Sequence, residues 1–205
     1  MANPQLPANG DLVDRVVQAI LDFLSRVPDT DEAPAASDPL IRCRSIASAA
    51  ALKAAAISAG LALPPGPLGL LTILPDLISI WKIQAQMVAD IAGVYGKTAY
   101  LTREQMLYCL FKHAASQAVR DLVVRVGERI FVRRVSLRAF QSAARKVGIR
   151  ITQRVIGTGI SRWLPIVGAL GIGAYAYYDT GQVATTAIDL FSRDIEIEPD
   201  PDSAA

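Results

Sequence analysis

The sequence predicts an all-α single domain, built around two Gly/Pro-interrupted apolar helical hairpins and flanked by flexible acidic termini. Three observations carry that reading. Of the 205 residues 52% are hydrophobic and only 6% aromatic, and most of the apolar residues are Ala, Val, Ile and Leu, which suit closely packed helices. Apolar residues recur at helical spacing over much of the chain. Two charge-free blocks, Ala54–Pro75 and Trp163–Tyr178, are each punctuated by Pro or Gly. A mean hydropathy of +0.32 excludes a wholly disordered or collagen-like chain.

The first helix is expected over residues 12–24. Leu12, Val16, Ile20 and Phe23/Leu24 mark its apolar side, with Asp14, Arg15, Gln18 and Asp22 opposite and Asp11 as a candidate cap. Residues 1–27 thus read as an N-terminal amphipathic helix. Residues 28–39 follow as an exposed acidic linker, with three prolines and four acids in the twelve residues from Pro28 to Pro39. That linker should isolate the first helix from the main domain, residues 40–192.

A second helix, rich in Ala and Ser, is expected from Leu40 to Leu63, carrying Ile41, Ile46, Leu52 and Ile57 and stopping at Pro64-Pro65-Gly66-Pro67. The 22 charge-free residues Ala54–Pro75 would span about 33 Å as one helix, enough for a bilayer. Pro64, Pro65, Pro67 and Pro75 interrupt them, so a short apolar hairpin is expected instead. The next helix should run from Leu77 to Gly96, capped by Asp76 and stopped by Gly96, with Trp81, Val88, Ile91 and Tyr95 on its apolar side. Thr102-Arg-Glu-Gln105 then signals a new helix start before Met106, Leu107, Leu110 and Phe111.

Residues 114–155 predict one or two basic helices, with a break at Gly148. Val119, Leu122/Val123, Val126 and Ile130 form a stripe, and Arg125, Arg129 and Arg133 a row at i, i+4 and i+8. The β-branched content of Val123–Val135 leaves a strand there as the alternative. The apolar block Trp163–Tyr178 contains Gly168, Gly171 and Gly173 and is short for a membrane span. A helix over Gln182–Phe191 follows it. Residues 193–205 read as an acidic, unstructured tail.

The formal net charge of +2 conceals a strong pattern: −5 over residues 1–38, +3 over 39–111, +9 over 112–154 and −5 over 155–205. A basic middle suits an anionic surface, phospholipid or nucleic acid, and equally a basic face neutralised by the protein's own acidic ends. Two cysteines, Cys43 and Cys109, make no CxxC pair and no disulfide framework, which points to a reducing compartment. The N-terminus lacks a basic start leading into an apolar core, so no secretory signal is expected.

The motifs Leu71-Thr-Ile-Leu-Pro-Asp-Leu77, Ile91-Ala-Gly-Val-Tyr-Gly96 and Pro165-Ile-Val-Gly168, with a closing helix ending at Phe191, resemble the bacterial EcsC-like family over roughly residues 45–191. The resemblance implies an α-helical protein, accessory to transport or secretion, whose family supplies no catalytic residues. The Pro-Pro-Gly-Pro turn departs from the more glycine-rich stretch that the family leads one to expect.

Candidate site residues follow from charge and placement. Arg125, Arg129, Arg133, Arg134 and Arg138 are the candidates for lipid or anionic-surface binding, because arginine contacts phosphates bidentately and apolar residues lie between them. Valine and phenylalanine lie between them, whereas a nucleic-acid binder would more often interleave exposed aromatics or place its cations in a recognised fold, so nucleic acid is the less favoured partner. Asp76, Asp90 and Asp179 lie in or beside apolar sequence, where a carboxylate must be capped, paired or protonated. Asp179 is expected to pair with an arginine of the basic helix. Cys109 and His113 share a helix face, but His113 is the sole histidine and reads as structural. No G-x-S-x-G motif, complete phosphate loop or metal-ligand set occurs, so no cofactor or metal is expected. The leading expectation is a non-catalytic protein at the inner face of the cell membrane, holding lipid or a membrane partner. The alternatives are a soluble adaptor with an apolar groove and a hydrolase using His113 or the aspartates.

Overall fold

A computed structural model describes residues 9–61, 69–157 and 165–198. Among the described residues, six α-helices and a three-stranded sheet form in the order α1 (Asn9–Leu24), α2 (Pro39–Leu61), α3 (Gly69–Val94), α4 (Arg103–Val119), β1 (Val123–Val126), β2 (Arg129–Val132), α5 (Leu137–Gly157), α6 (Pro165–Phe191) and β3 (Asp194–Ile197). The protein is therefore an all-α single domain with one small sheet.

The amphipathic stripe of α1 does what its spacing predicts: Val16, Ile20 and Leu24 are buried in the common core. Asp11 lies inside the first turn of α1 and is not its cap; there its charge favours the positive helix end. α1 packs on α5, where Gly148 lets the two backbones close. A Cβ at Gly148 would stand 2.6 Å from Val17 Cγ2. Gly148 thus marks a helix contact and not a break.

The acidic segment does not isolate α1. Thr30 Oγ1 donates to Asp90 Oδ1 at 2.7 Å, Gln86 Nε2 donates to the Asp29 carbonyl at 2.9 Å, and the Ala35 N–H donates to the Val94 carbonyl at 3.0 Å. Gly93 of α3 presses on this strap, because a Cβ there would meet the Glu32 carbonyl oxygen at 2.7 Å. Prolines and acids make a poor helix, but an extended strap can satisfy its backbone on the flank of α3.

α2 buries its small residues, Cys43, Ala51, Ala54 and Ser58, and leaves Ile41 and Leu52 68% and 63% exposed. Ile46 and Ile57 are half-buried, so the small residues supply most of the buried face. The reason is α6: Gly173 lies so near that its Cβ would stand 3.1 Å from the Ala55 carbonyl, a separation that large side chains on α2 would prevent.

α3 begins at Gly69, so Pro75 and Asp76 lie inside it and Asp76 is not a helix cap. The Asp76 side chain is outside the described residues, as are Pro64, Pro65 and Pro67. Pro75 removes one ladder bond, and the buried run Trp81, Ala85, Val88, Ile91 and Ala92 anchors the helix beyond it. α3 stops as its sequence predicts. Gly96 has φ +68°, its N–H donates to the Gly93 carbonyl at 2.8 Å, and the Lys97 N–H donates to the Ala92 carbonyl at 2.8 Å. α4 opens on the expected signal: Thr102 and Gln105 form a reciprocal capping box. The T-shaped pair of Trp81 and Phe111, 5.4 Å between ring centroids, locks α3 to α4.

The basic segment departs from the helical expectation. Val123–Val132 is an antiparallel hairpin, with Val126 opposite Arg129 and Gly127 at φ +61° in the two-residue turn. The β-branched runs on either side of Gly127-Glu128 favour a pleated ladder over a helix. The acidic tail also departs from expectation, because Asp194–Ile197 pairs parallel to β2, with Ile130 opposite Ile195 and Val132 opposite Ile197. Val123, Ile130 and Val132 are buried on one face of the sheet, where Ile195 and Ile197 pack against the core. From Pro165 onward the second apolar block and the following segment form one helix, α6, running through Asp179 without a stop; Trp163 and Leu164 lie outside the described residues.

Candidate functional site

Two constellations concentrate the polar chemistry. The first joins three helices inside the bundle. His113 of α4 places Nε2 2.6 Å from Asp179 Oδ1 of α6. Gln84 of α3 donates from Nε2 to Asp179 Oδ2 at 2.8 Å and lies 3.2 Å from Thr180 Oγ1. Gln84 and Thr180 are fully buried, and the side chains of His113 and Asp179 are 18% and 19% exposed.

Asp179 is therefore partnered by a histidine and an amide, not by an arginine of the basic segment as its sequence context suggested. His113 Nδ1 is buried and has no hydrogen-bond partner among the described residues. Cys109, one turn away on the same face, is fully buried, and burial pushes its thiol pKa well above the usual cysteine range. A raised thiol pKa makes a poor nucleophile. Asp90 belongs elsewhere: its Oδ1 accepts from both Thr30 and Gln86 and ties the acidic strap to α3. Among the described residues, no group of three or more His, Cys, Asp or Glu is placed to hold a metal.

The second constellation is the basic surface. Between residues 120 and 138 the chain carries six arginines against two carboxylates. Arg125, Arg129 and Arg133 do not form a helical row, because they lie on or beside a hairpin. The ladder alternates its side chains, so Arg129 falls on the outer face and Arg125 on the other.

Two of the five candidate arginines meet the tail. Arg129 Nη1 lies 2.8 Å from Glu196 Oε1, and Arg133 Nε lies 3.3 Å from Glu198 Oε2. Arg193 ties the end of α6 to the hairpin turn, with Nη1 2.8 Å from Glu128 Oε2 and Nη2 2.9 Å from Asp189 Oδ1. Those carboxylates hold the Arg193 guanidinium pKa above its ordinary value, the Asp189 hydrogen bond being the largest cause. Lys97 Nζ donates to the Arg193 carbonyl, and burial lowers the Lys97 pKa. Arg125 bonds the Gly127 carbonyl in its own turn at 3.2 Å. Among the described residues, Arg125, Arg134 and Arg138 have no carboxylate within ion-pair distance. Close by in sequence, Val126 and Leu137 are 60% and 54% exposed.

Glu196, Glu198, Gln84 and Thr180 were not singled out from the sequence. The tail pair had a signal: Asp194-Ile-Glu-Ile-Glu198 alternates with period two, the mark of a half-buried strand. Gln84 and Thr180 had none, since their importance comes from facing Asp179 across the bundle.

Elsewhere, an open groove of about 600 Å³ runs between α2 and α6, with Leu40, Ala47, Ala51, Tyr177 and Ile188 in its lining. No helix among the described residues is long and apolar enough to cross a membrane. The chain matches no known family model, no curated protein and no solved structure.

Proposed function

We propose that this protein is a non-catalytic, peripheral binder of anionic membrane surfaces at the inner face of the cell membrane, accessory to transport or secretion as the EcsC-like resemblance implies. One observation carries the reading: Arg125, Arg134 and Arg138 lack carboxylate partners among the described residues, in a segment that also exposes Val126 and Leu137. Cations attract headgroup phosphates, and neighbouring aliphatic side chains enter the interface. Flotation with vesicles of phosphatidylserine and phosphatidylcholine tests this. Binding should weaken with salt without vanishing, because ions screen the charges and leave apolar insertion intact. Arg134→Glu with Arg138→Glu should reduce it. A protein that remains at the bottom of the gradient at both low and high salt refutes the proposal.

The adaptor reading is favoured by the α2–α6 groove and by exposed Ile41, Leu52 and Tyr177 on the same two helices. A stoichiometric protein complex that survives without lipid and is lost in Ile41→Asp/Leu52→Asp would establish it. The hydrolase reading rests on the His113–Asp179 contact. A covalent mechanism would need a hydroxyl or thiol bonded to the other ring nitrogen, and His113 Nδ1 is buried with no such partner among the described residues.

A further inference from the structure

We propose that the C-terminal strand β3 is an internal competitor for anionic lipid: Glu196 and Glu198 occupy Arg129 and Arg133, and release them when a headgroup surface binds. This inference rests on the membrane-surface reading above and concerns the regulation of that same face.

The chain places carboxylates where a headgroup phosphate would sit. Parallel pairing sets Phe131 opposite Glu196 and Val132 opposite Ile197, so the glutamates follow the arginines along the sheet. Arg129 Nη1 reaches Glu196 Oε1 at 2.8 Å and Arg133 Nε reaches Glu198 Oε2 at 3.3 Å. The Glu198 N–H donates to the Val132 carbonyl at 2.9 Å, which holds the second glutamate in register. Arg193, bonded to Glu128 and Asp189, anchors the strand at its root, and beyond it the strand is held by β2 and by half-buried Ile195 and Ile197.

Several features make the cover removable. β3 has four residues and, among the described residues, pairs on one side only. Both arginines and both glutamates in these pairs are about half exposed, so their attraction is screened by salt and open to competition. Ile195 and Ile197 are half-buried and not sealed in the core. A vesicle offers many phosphates at once, whereas the tail offers two carboxylates. Arg134 and Arg138 make the first contact, and the exchange at Arg129 and Arg133 then adds two more cations to it.

The test compares the full chain with its Glu196→Gln/Glu198→Gln variant in binding vesicles of equal parts phosphatidylserine and phosphatidylcholine, with pure phosphatidylcholine as control. The variant keeps the strand's shape and Ile195 and Ile197, and removes only the competing charges. It should bind the anionic vesicles roughly five- to twenty-five-fold more tightly, the weight of one or two freed arginines at a headgroup surface. Its binding should also fall more steeply with salt. Amide hydrogen exchange at residues 194–198 of the unaltered chain should speed up when anionic vesicles are added. Equal affinity of the two proteins, or exchange at β3 unchanged by bound vesicles, overturns this inference and leaves the membrane reading standing. Absence of binding by either protein overturns the membrane reading and this inference with it.

Discussion

His113 and Asp179, 66 residues apart in the chain, meet with Nε2 and Oδ1 2.6 Å apart and join α4 to α6. Gln84 reaches the other oxygen of the same carboxylate from α3. One partly buried carboxylate thus ties three helices together. Desolvating it without partners would be costly, so the two donors make its position tolerable.

Replacing His113 tests that arrangement. His113→Gln retains a donor for Asp179 and should cost about 0.5–1.5 kcal/mol of unfolding free energy. His113→Leu removes the donor and should cost about 1–3 kcal/mol. Urea denaturation of the two variants decides it. Equal stability of both would show that the Asp179 bond contributes nothing measurable.

The strap over α3 predicts a difference between two glycines. Gly93→Ala drives a methyl into the Glu32 carbonyl and should destabilise the protein by about 1–3 kcal/mol. Gly171→Ala, in α6 with nothing among the described residues within 4 Å of the added Cβ, should stabilise it by about 0.5–1 kcal/mol. Thermal melting of both variants gives the comparison. A neutral Gly93→Ala would mean that the strap is not docked in solution.

Removal of residues 1–38 should abolish cooperative unfolding, because Val16, Ile20 and Leu24 belong to the core and the acidic segment bonds α3. Ile20→Ala should by itself cost about 2–5 kcal/mol. Circular dichroism melts of the truncated chain and of the point variant check both. A sharp melt for residues 39–205 would place α1 outside the cooperative unit.

Alkaline pH should expose the buried thiol. Burial raises the folded Cys109 pKa above its ordinary value of 9.0, so the unfolded chain gives up that proton first. The group's contribution to stability is complete below about pH 9 and declines as pH rises, by up to about 1.4 kcal/mol per pH unit. Cys109→Ala should flatten the decline of stability between about pH 9 and pH 11 relative to the unaltered protein, whatever its cost at neutral pH. Parallel slopes for the two proteins would contradict the assignment to Cys109.

The all-α class, the apolar stripe of α1, the stop at Gly96 and the capping box at Thr102 were legible in the sequence, because each depends on residues within a turn or two of one another. The five candidate arginines were also legible as a charge concentration, though not their arrangement. Arg125, Arg129 and Arg133 fit a helical row as well as a hairpin, and the hairpin is closed by β3, whose root residue Arg193 bonds Glu128 from 65 positions away. The tail's net charge masked its period-two pattern, since isolated acidic sequence gains too little burial to order itself. Only the core, by receiving Ile195 and Ile197, supplies that burial. The Ala- and Ser-rich composition of α2 was legible as suited to close packing, but not which helix it packs against, since only the fold brings Gly173 of α6 to Ala55. The partner of Asp179 belongs to the same class, because His113 and Gln84 become its neighbours only when three helices pack.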